Sequence, residues 1–202
     1  MPINAKALPF RLCSWVYNHC LRRTNYMFQL TLEALNRIQE CRLCRVARPG
    51  NRLQLESGPP VKVDGLYWLY TSYTNAELSS AVPSQKQNSV PINTIAARRE
   101  NLGMICSRKV DSFRVVYNGI GGVGLKGHGG LRERILQEFR GGEGTGSLAI
   151  CDTSLSDLTR WRYSYVLWSE IEHAETIEYL PLGEQLETMW RLHFGWPILC
   201  SR

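Results

Sequence analysis

The chain has 202 residues, of which 44% are hydrophobic and 21% are charged, and this is the composition of a globular protein. No apolar run approaches the ~20 residues that a membrane-spanning helix needs, so we expect no membrane-spanning helix and no membrane partner. The N-terminal segment MPINAKALPF lacks a basic stretch followed by an apolar one, so we expect no secretory signal and a cytoplasmic location.

The formal net charge of +6 is unevenly distributed. Residues 1–63 contain ten Lys and Arg residues against three acidic residues, whereas the rest of the chain is close to neutral. A basic segment attached to a near-neutral body indicates a polyanionic partner such as DNA, and the alternative is a solubilising surface.

Seven scattered cysteines in a chain without an export signal indicate free thiols. Cys41 and Cys44 form a lone CxxC pair, which could supply half of a zinc site together with Cys13, His19 or Cys20. The alternative interpretation is two small residues on successive turns of a helix.

The first predicted elements are helices. Apolar residues recur at helical spacing through residues 8–46, and the polar residues 22–25 divide this stretch into two helices. Prolines and glycines between Ala47 and Pro60 indicate a linker. The aromatic segment VKVDGLYWLYT, residues 61–71, predicts the first strand.

Residues 72–111 form a long connection, within which the spacing predicts a helix around residues 93–106. Long connections in compact domains usually carry function. This one is basic, and Arg98 and Arg99 are candidate contacts to DNA phosphates. The candidate readers of base edges are Gln85, Gln87, Asn88 and Asn93.

The second half of the chain predicts a strand over 112–118, a glycine-dense turn over 119–130, a helix over 130–140, a strand over 161–168 and a helix over 182–194. This order predicts an α+β fold with a three-stranded, mainly antiparallel sheet flanked by helices. The first two strands would form a hairpin split by the insert at about 72–111. We therefore predict a basic helical extension and linker over residues 1–60 and one domain over residues 61–202.

Four short motifs follow one another along this predicted domain. They are Gly65-Leu66-Tyr67 on the first strand, Tyr117-Asn118-Gly119 on the second, Arg134 in the helix LRERILQEF, and Glu187 ahead of Trp190 and Pro197. In this order and on these elements, the motifs resemble those of the GIY-YIG nuclease family. The resemblance covers roughly residues 63–202 without the insert.

The resemblance implies a metal-dependent DNA endonuclease. Tyr67 and Tyr117 would face one cleft, and Tyr117 would take a proton from the attacking water after nearby cations lower its pKa. Arg134 would bind two phosphate oxygens as negative charge builds. Glu187 would hold one divalent ion, Mg²⁺ or Mn²⁺, at the scissile phosphate.

Three positions depart from the family pattern. A lysine or similar polar residue commonly follows the second motif, where this chain has Ile120, and Lys126 or His128 in the longer turn would then supply the charge to DNA. Glu138 stands where the family has histidine or tyrosine, and it could act as a base, act as a second metal ligand, or mark lost activity. Cys200 replaces the final asparagine.

The favoured function is therefore a site-specific, restriction-like endonuclease, because the basic extension and insert add DNA-contacting surface to a compact nuclease domain. Arg132 on the arginine helix is a further candidate DNA contact. Palindromic sites favour two-fold symmetry, so we expect a homodimer. The alternatives are a catalytically inactive DNA-binding module of the same fold and a zinc-stabilised protein that binds no nucleic acid.

Overall fold

The computed structural model describes residues 32–122, 129–142, 146–171 and 180–200. Over these ranges the chain forms an α+β fold with five α-helices and a six-stranded antiparallel sheet, so the predicted mixed class is confirmed and the predicted count of three strands is wrong. None of the helices described here combines the length and the apolar character that would let it cross a membrane. The part of the predicted N-terminal helices that precedes residue 32 lies outside the described residues.

The sheet is built around the three predicted strands. Its strands are β1 (Cys44–Ala47), β2 (Gln54–Leu55), β3 (Gly65–Thr71), β4 (Lys109–Val110), β5 (Phe113–Gly121) and β6 (Trp161–Leu167), in the spatial order β2-β1-β6-β3-β5-β4. Strand β3 pairs antiparallel with β5 and with β6, which confirms the hairpin split by the insert. The three added strands have two to four residues, too few to produce a readable alternation in the sequence.

The helices are α1 (residues 32–41), α2 (Asn75–Ser79), α3 (Ile92–Arg99), α4 (Leu131–Arg140) and α5 (Leu180–Phe194). Short 3-10 turns occur at Ile150–Asp152, Leu158–Arg160 and Trp168–Glu170. Helix α3 ends earlier than predicted, because only Ile92 and Ala96 are fully buried along it and the following residues 101–104 are exposed. Helices α4 and α5 lie where the periodicity predicted them.

The sheet is covered on both faces, and all seven residues of β3 are buried. Because side chains alternate along a strand, Tyr67 and Leu69 face the core that contains α4, while Leu66 and Trp68 face the core that contains α1 and α5. Trp68 packs edge-on against Trp190 of α5, with 5.7 Å between ring centroids. Residues of α4 and of α5 thus approach the same strands from opposite faces.

The segment before residue 61 belongs to the same sheet and cores. Residues 47–60, predicted as a linker, contain β2, and β1 pairs with β6. The Tyr163 hydroxyl donates to the carbonyl oxygen of Glu56 over 2.6 Å, and Leu35 of α1 is buried in the core with Trp68. The prolines and glycines in this segment belong to tight turns around short strands. Such turns have the same composition as a linker, so the sequence did not distinguish the two.

Candidate active site

The two motif tyrosines lie on one face of the sheet. Tyr67 of β3 is opposite Gly119 of β5, and Tyr117 of β5 is opposite Leu69, so both rings point towards the layer that contains α4. Their ring centroids are 6.1 Å apart. Tyr67 is fully buried, whereas Tyr117 keeps part of its side chain exposed.

The motif glycines allow this close packing. A Cβ atom at Gly119 would stand 2.5 Å from the Tyr67 hydroxyl oxygen, which is much closer than van der Waals contact. A Cβ atom at Gly65 would collide with the backbone carbonyl oxygen of Val166 on β6. Gly119 therefore lets the Tyr67 ring pack against β5, and Gly65 lets β3 and β6 approach each other.

Glu138 is the buried centre of the hydrogen-bond network. Its Oε1 accepts a hydrogen bond from the Tyr67 hydroxyl at 2.7 Å and forms an ion pair with Arg134 Nη2, also at 2.7 Å. Its Oε2 accepts from the backbone N–H of Leu148 at 2.9 Å. Three donors thus satisfy a carboxylate that has no exposed side-chain surface, as a buried charge requires.

Arg134 lies one turn before Glu138 on the same flank of α4, and its side chain is 12% exposed. Its guanidinium also donates to the carbonyl oxygen of Gly146 at 3.0 Å and to the side-chain oxygen of Gln137 at 3.4 Å. Burial disfavours the charged form, but the surrounding Tyr67, Glu138 and Tyr117 outweigh it and raise the pKa of Arg134. This side chain is a fixed cation at every pH at which the protein is folded.

Glu187 approaches from the opposite face of the sheet on α5. It forms an i,i+4 ion pair with Arg191 at 2.5 Å, and Arg191 in turn donates to the Asn118 side-chain oxygen at 2.8 Å. Beyond its pairing with β4 at residues 113 and 114, the edge of β5 that faces away from β3 meets the C-terminal segment, where the Leu199 N–H donates to the carbonyl oxygen of Val116 at 2.9 Å. Asn118 directly follows Tyr117 on β5, so the Glu187–Arg191 pair is anchored next to the second motif tyrosine. Glu187 acts to raise the pKa of Tyr117, and Arg134 acts to lower that of Glu187.

Burial raises the pKa of Glu187 to about 7, and nearby Glu184 adds to the effect against the opposing influence of Arg191 and Arg134. The carboxyl is 15% exposed, and the exposed Glu184 lies one turn away on α5. A divalent cation would offset the free-energy cost of burying the charged carboxylate and would reduce its repulsion by Glu184. One partly exposed carboxylate with a second nearby also fits Mg²⁺, which retains most of its waters.

The expectation that cations lower the tyrosine pKa values is wrong for this arrangement. Burial raises the pKa of Tyr67 and of Tyr117 well above the ordinary value, and the Glu138 carboxylate reinforces it. Arg134 acts in the opposite direction but does not outweigh these effects. Both phenols therefore hold their protons at neutral pH.

Those of the other predicted DNA contacts that the structure describes do not gather at this site. Arg98 is exposed on α3, and Arg99 donates to the carbonyl oxygen of Cys200. Arg132 lies on the flank of α4 opposite Arg134, where it donates to the carbonyl oxygen of Pro59 at 3.3 Å. Lys126 and His128 lie outside the described residues. The candidate base readers Gln85, Gln87 and Asn88 are exposed, and Asn93 is half-buried.

Cys200, one of the departures from the family pattern, meets the second motif in space. The Cys200 thiol contacts the side-chain oxygen of Asn118 at 3.2 Å, and burial raises the pKa of this thiol to about 12. Asn118 also accepts two hydrogen bonds from Arg191, so the middle residue of the second motif positions the partner of Glu187. Sequence reasoning missed this role of Asn118, because only the fold brings β5, α5 and the C-terminal segment together.

Among the described residues, no group of three or more His, Cys, Asp or Glu side chains is arranged to hold a metal. Cys41 is exposed and Cys44 is half-buried, with its thiol against the carbonyl oxygen of Arg42. The other suggested zinc ligands, Cys13, His19 and Cys20, lie outside the described residues.

Comparisons with known protein families, with curated proteins and with solved structures find no match to this chain. The resemblance to GIY-YIG nucleases therefore depends on the motifs and on the arrangement of their residues.

Proposed function

We propose that this protein is a metal-dependent endonuclease that hydrolyses phosphodiester bonds in DNA at specific sites. The supporting observation is that two phenols, a guanidinium and a carboxyl gather around β3 and β5, although their motifs are up to 120 residues apart (Tyr67 to Glu187). Tyr67 and Arg134 meet at Glu138, and Glu187 is linked through Arg191 to Asn118 beside Tyr117. These groups match what phosphodiester hydrolysis requires: a fixed cation, water-orienting hydroxyls and a ligand for a divalent ion.

Each residue has a distinct role in this proposal. Arg134 binds a non-bridging phosphate oxygen and stabilises the charge that develops on it. Tyr117, as the partly exposed phenol, keeps its proton at neutral pH and orients the attacking water by hydrogen bonding. Tyr67 is too buried to meet water, so it anchors Glu138 and, through it, Arg134.

Glu187 would hold the divalent ion in this proposal, with Glu184 nearby, and the ion would supply charge stabilisation at the leaving oxygen. Arg191 and Asn118 fix the orientation of the Glu187 carboxyl. Ion binding requires the deprotonated carboxylate, so metal affinity depends on pH.

A catalytically inactive DNA-binding module is the second candidate, and one observation favours it. Arg134 forms an ion pair with Glu138 at 2.7 Å and donates a hydrogen bond to the carbonyl oxygen of Gly146. A phosphate would have to compete with these two contacts for the guanidinium. An enzyme with this arrangement would have to release Arg134 from Glu138 when the substrate binds.

Cleavage of supercoiled plasmid with Mg²⁺ or Mn²⁺ separates the two candidates. We expect nicked or linear product, with the rate reduced at least ~100-fold in Arg134→Ala and in Glu187→Ala. The matched controls are Arg37→Ala and Glu100→Ala, which remove exposed charges of the same types elsewhere and should leave the rate unchanged. Plasmid that stays intact with wild-type protein and either metal, while DNA binding is retained, would instead establish the binding module.

A further inference from the structure

A basic groove lies on the flank of α4 opposite Arg134. It is a cavity of about 900 Å³ between α4 and the β1–β2 hairpin, and its lining includes four arginines. Two of them come from the hairpin and two from α4, namely Arg48, Arg52, Arg132 and Arg140.

The groove carries a net positive charge. Glu133 is the carboxylate in its lining, and it forms an ion pair with Arg140. Across the part of the chain that the structure describes, no carboxylate lies within ion-pair distance of Arg48, Arg52 or Arg132. Three positive charges thus face one concave surface with no carboxylate partner among the described residues, and such a surface attracts a polyanion.

The position of the groove relative to the candidate site indicates which polyanion it binds. Residues 132, 136 and 140 of α4 line the groove, while residues 134 and 138 face the site, so one helix separates the two. A helix with its side chains is about 10–12 Å across. A single DNA duplex spans this distance, since its major groove alone is about 12 Å wide.

We propose that the groove of Arg48, Arg52, Arg132 and Arg140 binds backbone phosphates of duplex DNA away from the bond that is cut. This inference rests on the proposed function, because it assumes DNA as the substrate. The contacts would be independent of base sequence, since arginine to phosphate contacts position a duplex without reading it. The hairpin that precedes the nuclease motifs thus becomes a substrate-holding element.

Salt-dependent binding tests this role without cleavage. The affinity for a 5′-labelled duplex of about 30 base pairs would be measured by fluorescence anisotropy in chelator at several salt concentrations. Each neutralised phosphate contributes about 0.9 to the slope of log affinity against log salt. The triple variant Arg48→Ala, Arg52→Ala, Arg132→Ala should reduce the slope by about 2 to 3 and weaken binding at least ~10-fold.

A control variant of equal charge separates local from general effects. Arg37→Ala, Arg45→Ala, Lys109→Ala removes three exposed positive charges outside the groove lining, so its slope should change by less than about 1. The triple lysine variant at the groove positions should recover most of the slope, because lysine keeps the charge, and circular dichroism would verify that each variant is folded. Equal slopes for the groove and control variants would overturn the inference.

The outcome also separates this inference from the proposed function. If the wild-type protein binds DNA and the groove variant binds it equally well, the groove proposal is wrong and the nuclease proposal is unaffected. Wild-type protein that does not bind the duplex at low salt contradicts both. If the inference is right and the plasmid is cleaved, the groove variant should raise KM while kcat at saturating DNA stays near the wild-type value.

Discussion

At the scale of single residues, the two motif glycines allow the central strands and the Tyr67 ring to pack closely. Gly119 and Gly65 are places where the chain has no room for a side chain, because a ring or a neighbouring strand lies against the backbone. Their requirement is steric and does not depend on catalysis. A chain with the same fold and no activity would need them equally.

Gly119→Ala should therefore disturb Tyr67 more than any nearby change of similar size. The added methyl group would push the Tyr67 hydroxyl away from Glu138, with a cost of about 1–3 kcal/mol in the free energy of unfolding. Denaturant titration measures the loss. Gly103→Ala is the matched control, since a Cβ atom there meets nothing within 4 Å, and it should be near neutral. A stable Gly119→Ala variant would mean that the tyrosine ring relocates without cost.

The raised pKa of Glu187 predicts a specific dependence of stability on pH in metal-free protein. The folded state binds this proton more tightly than the unfolded chain, in which the pKa is near 4.5. The resulting stabilisation is fully present below pH 4.5 and is lost as the pH rises through about 7.

Comparison of wild type with Glu187→Gln would isolate this effect. Between pH 5 and pH 8 in the presence of chelator, the free energy of unfolding of wild type should fall by roughly 3 kcal/mol relative to the variant, which has no proton to lose there. Glu100→Gln, at an exposed position, should run parallel to wild type. Parallel curves for Glu187→Gln would show that this carboxyl titrates normally.

At the scale of elements, Glu138 ties three segments together. It joins α4 to β3 through Tyr67 and to the segment after residue 146 through the Leu148 N–H. Three interpretations of this position were open from the sequence: a base, a second metal ligand or a sign of lost activity. Its burial and its three donors favour a positioning role over direct contact with substrate or metal.

Glu138→Ala should thus be strongly destabilising. The change leaves the Arg134 charge and the Tyr67 hydroxyl buried without their acceptor, at a cost of about 3–5 kcal/mol. Glu133→Ala is the matched control, because it removes a carboxylate of the same helix from a largely exposed ion pair and should cost less than about 1 kcal/mol. Thermal or urea unfolding distinguishes the two. Similar losses for both variants would contradict the central position of Glu138.

At the scale of the whole molecule, α1 and the β1–β2 hairpin complete the same structure as the motif strands. Leu35 of α1 is fully buried, and its cluster includes Trp68 of β3 and Trp190 of α5. The candidate site takes α4 and α5 from opposite faces of the sheet, so the packing of both layers determines the distance between Arg134 and Glu187.

Leu35→Ala should therefore lower the stability of the entire described fold. A cavity at this position should cost about 2–5 kcal/mol and move one cooperative unfolding transition, monitored by tryptophan fluorescence. Leu102→Ala, at a leucine that is 56% exposed, should have little effect. A separate early transition in Leu35→Ala, with the main one unmoved, would show that α1 unfolds independently of the sheet.

The sequence alone determined the elements whose signal is local. The strands β3, β5 and β6 and the helices α4 and α5 have enough residues for a clear periodicity, and the i,i+4 spacing of Glu187 and Arg191 already allowed the ion pair that forms. The hairpin split by the insert also followed from the order of these elements. Strands of two to four residues gave no such signal, and β1, β2 and β4 were missed.

Only the tertiary structure decided how the site and the groove are composed. Glu138 became the acceptor for Tyr67 and Arg134 because β3 packs against α4, and Asn118 met Arg191 and Cys200 because α5 and the C-terminal segment pack against β5. The groove joins Arg48 and Arg52 to arginines about 80 residues later in the chain. Such contacts, and the burial that raises the pKa values of the tyrosines and Glu187, depend on distances in space that spacing along the chain does not encode.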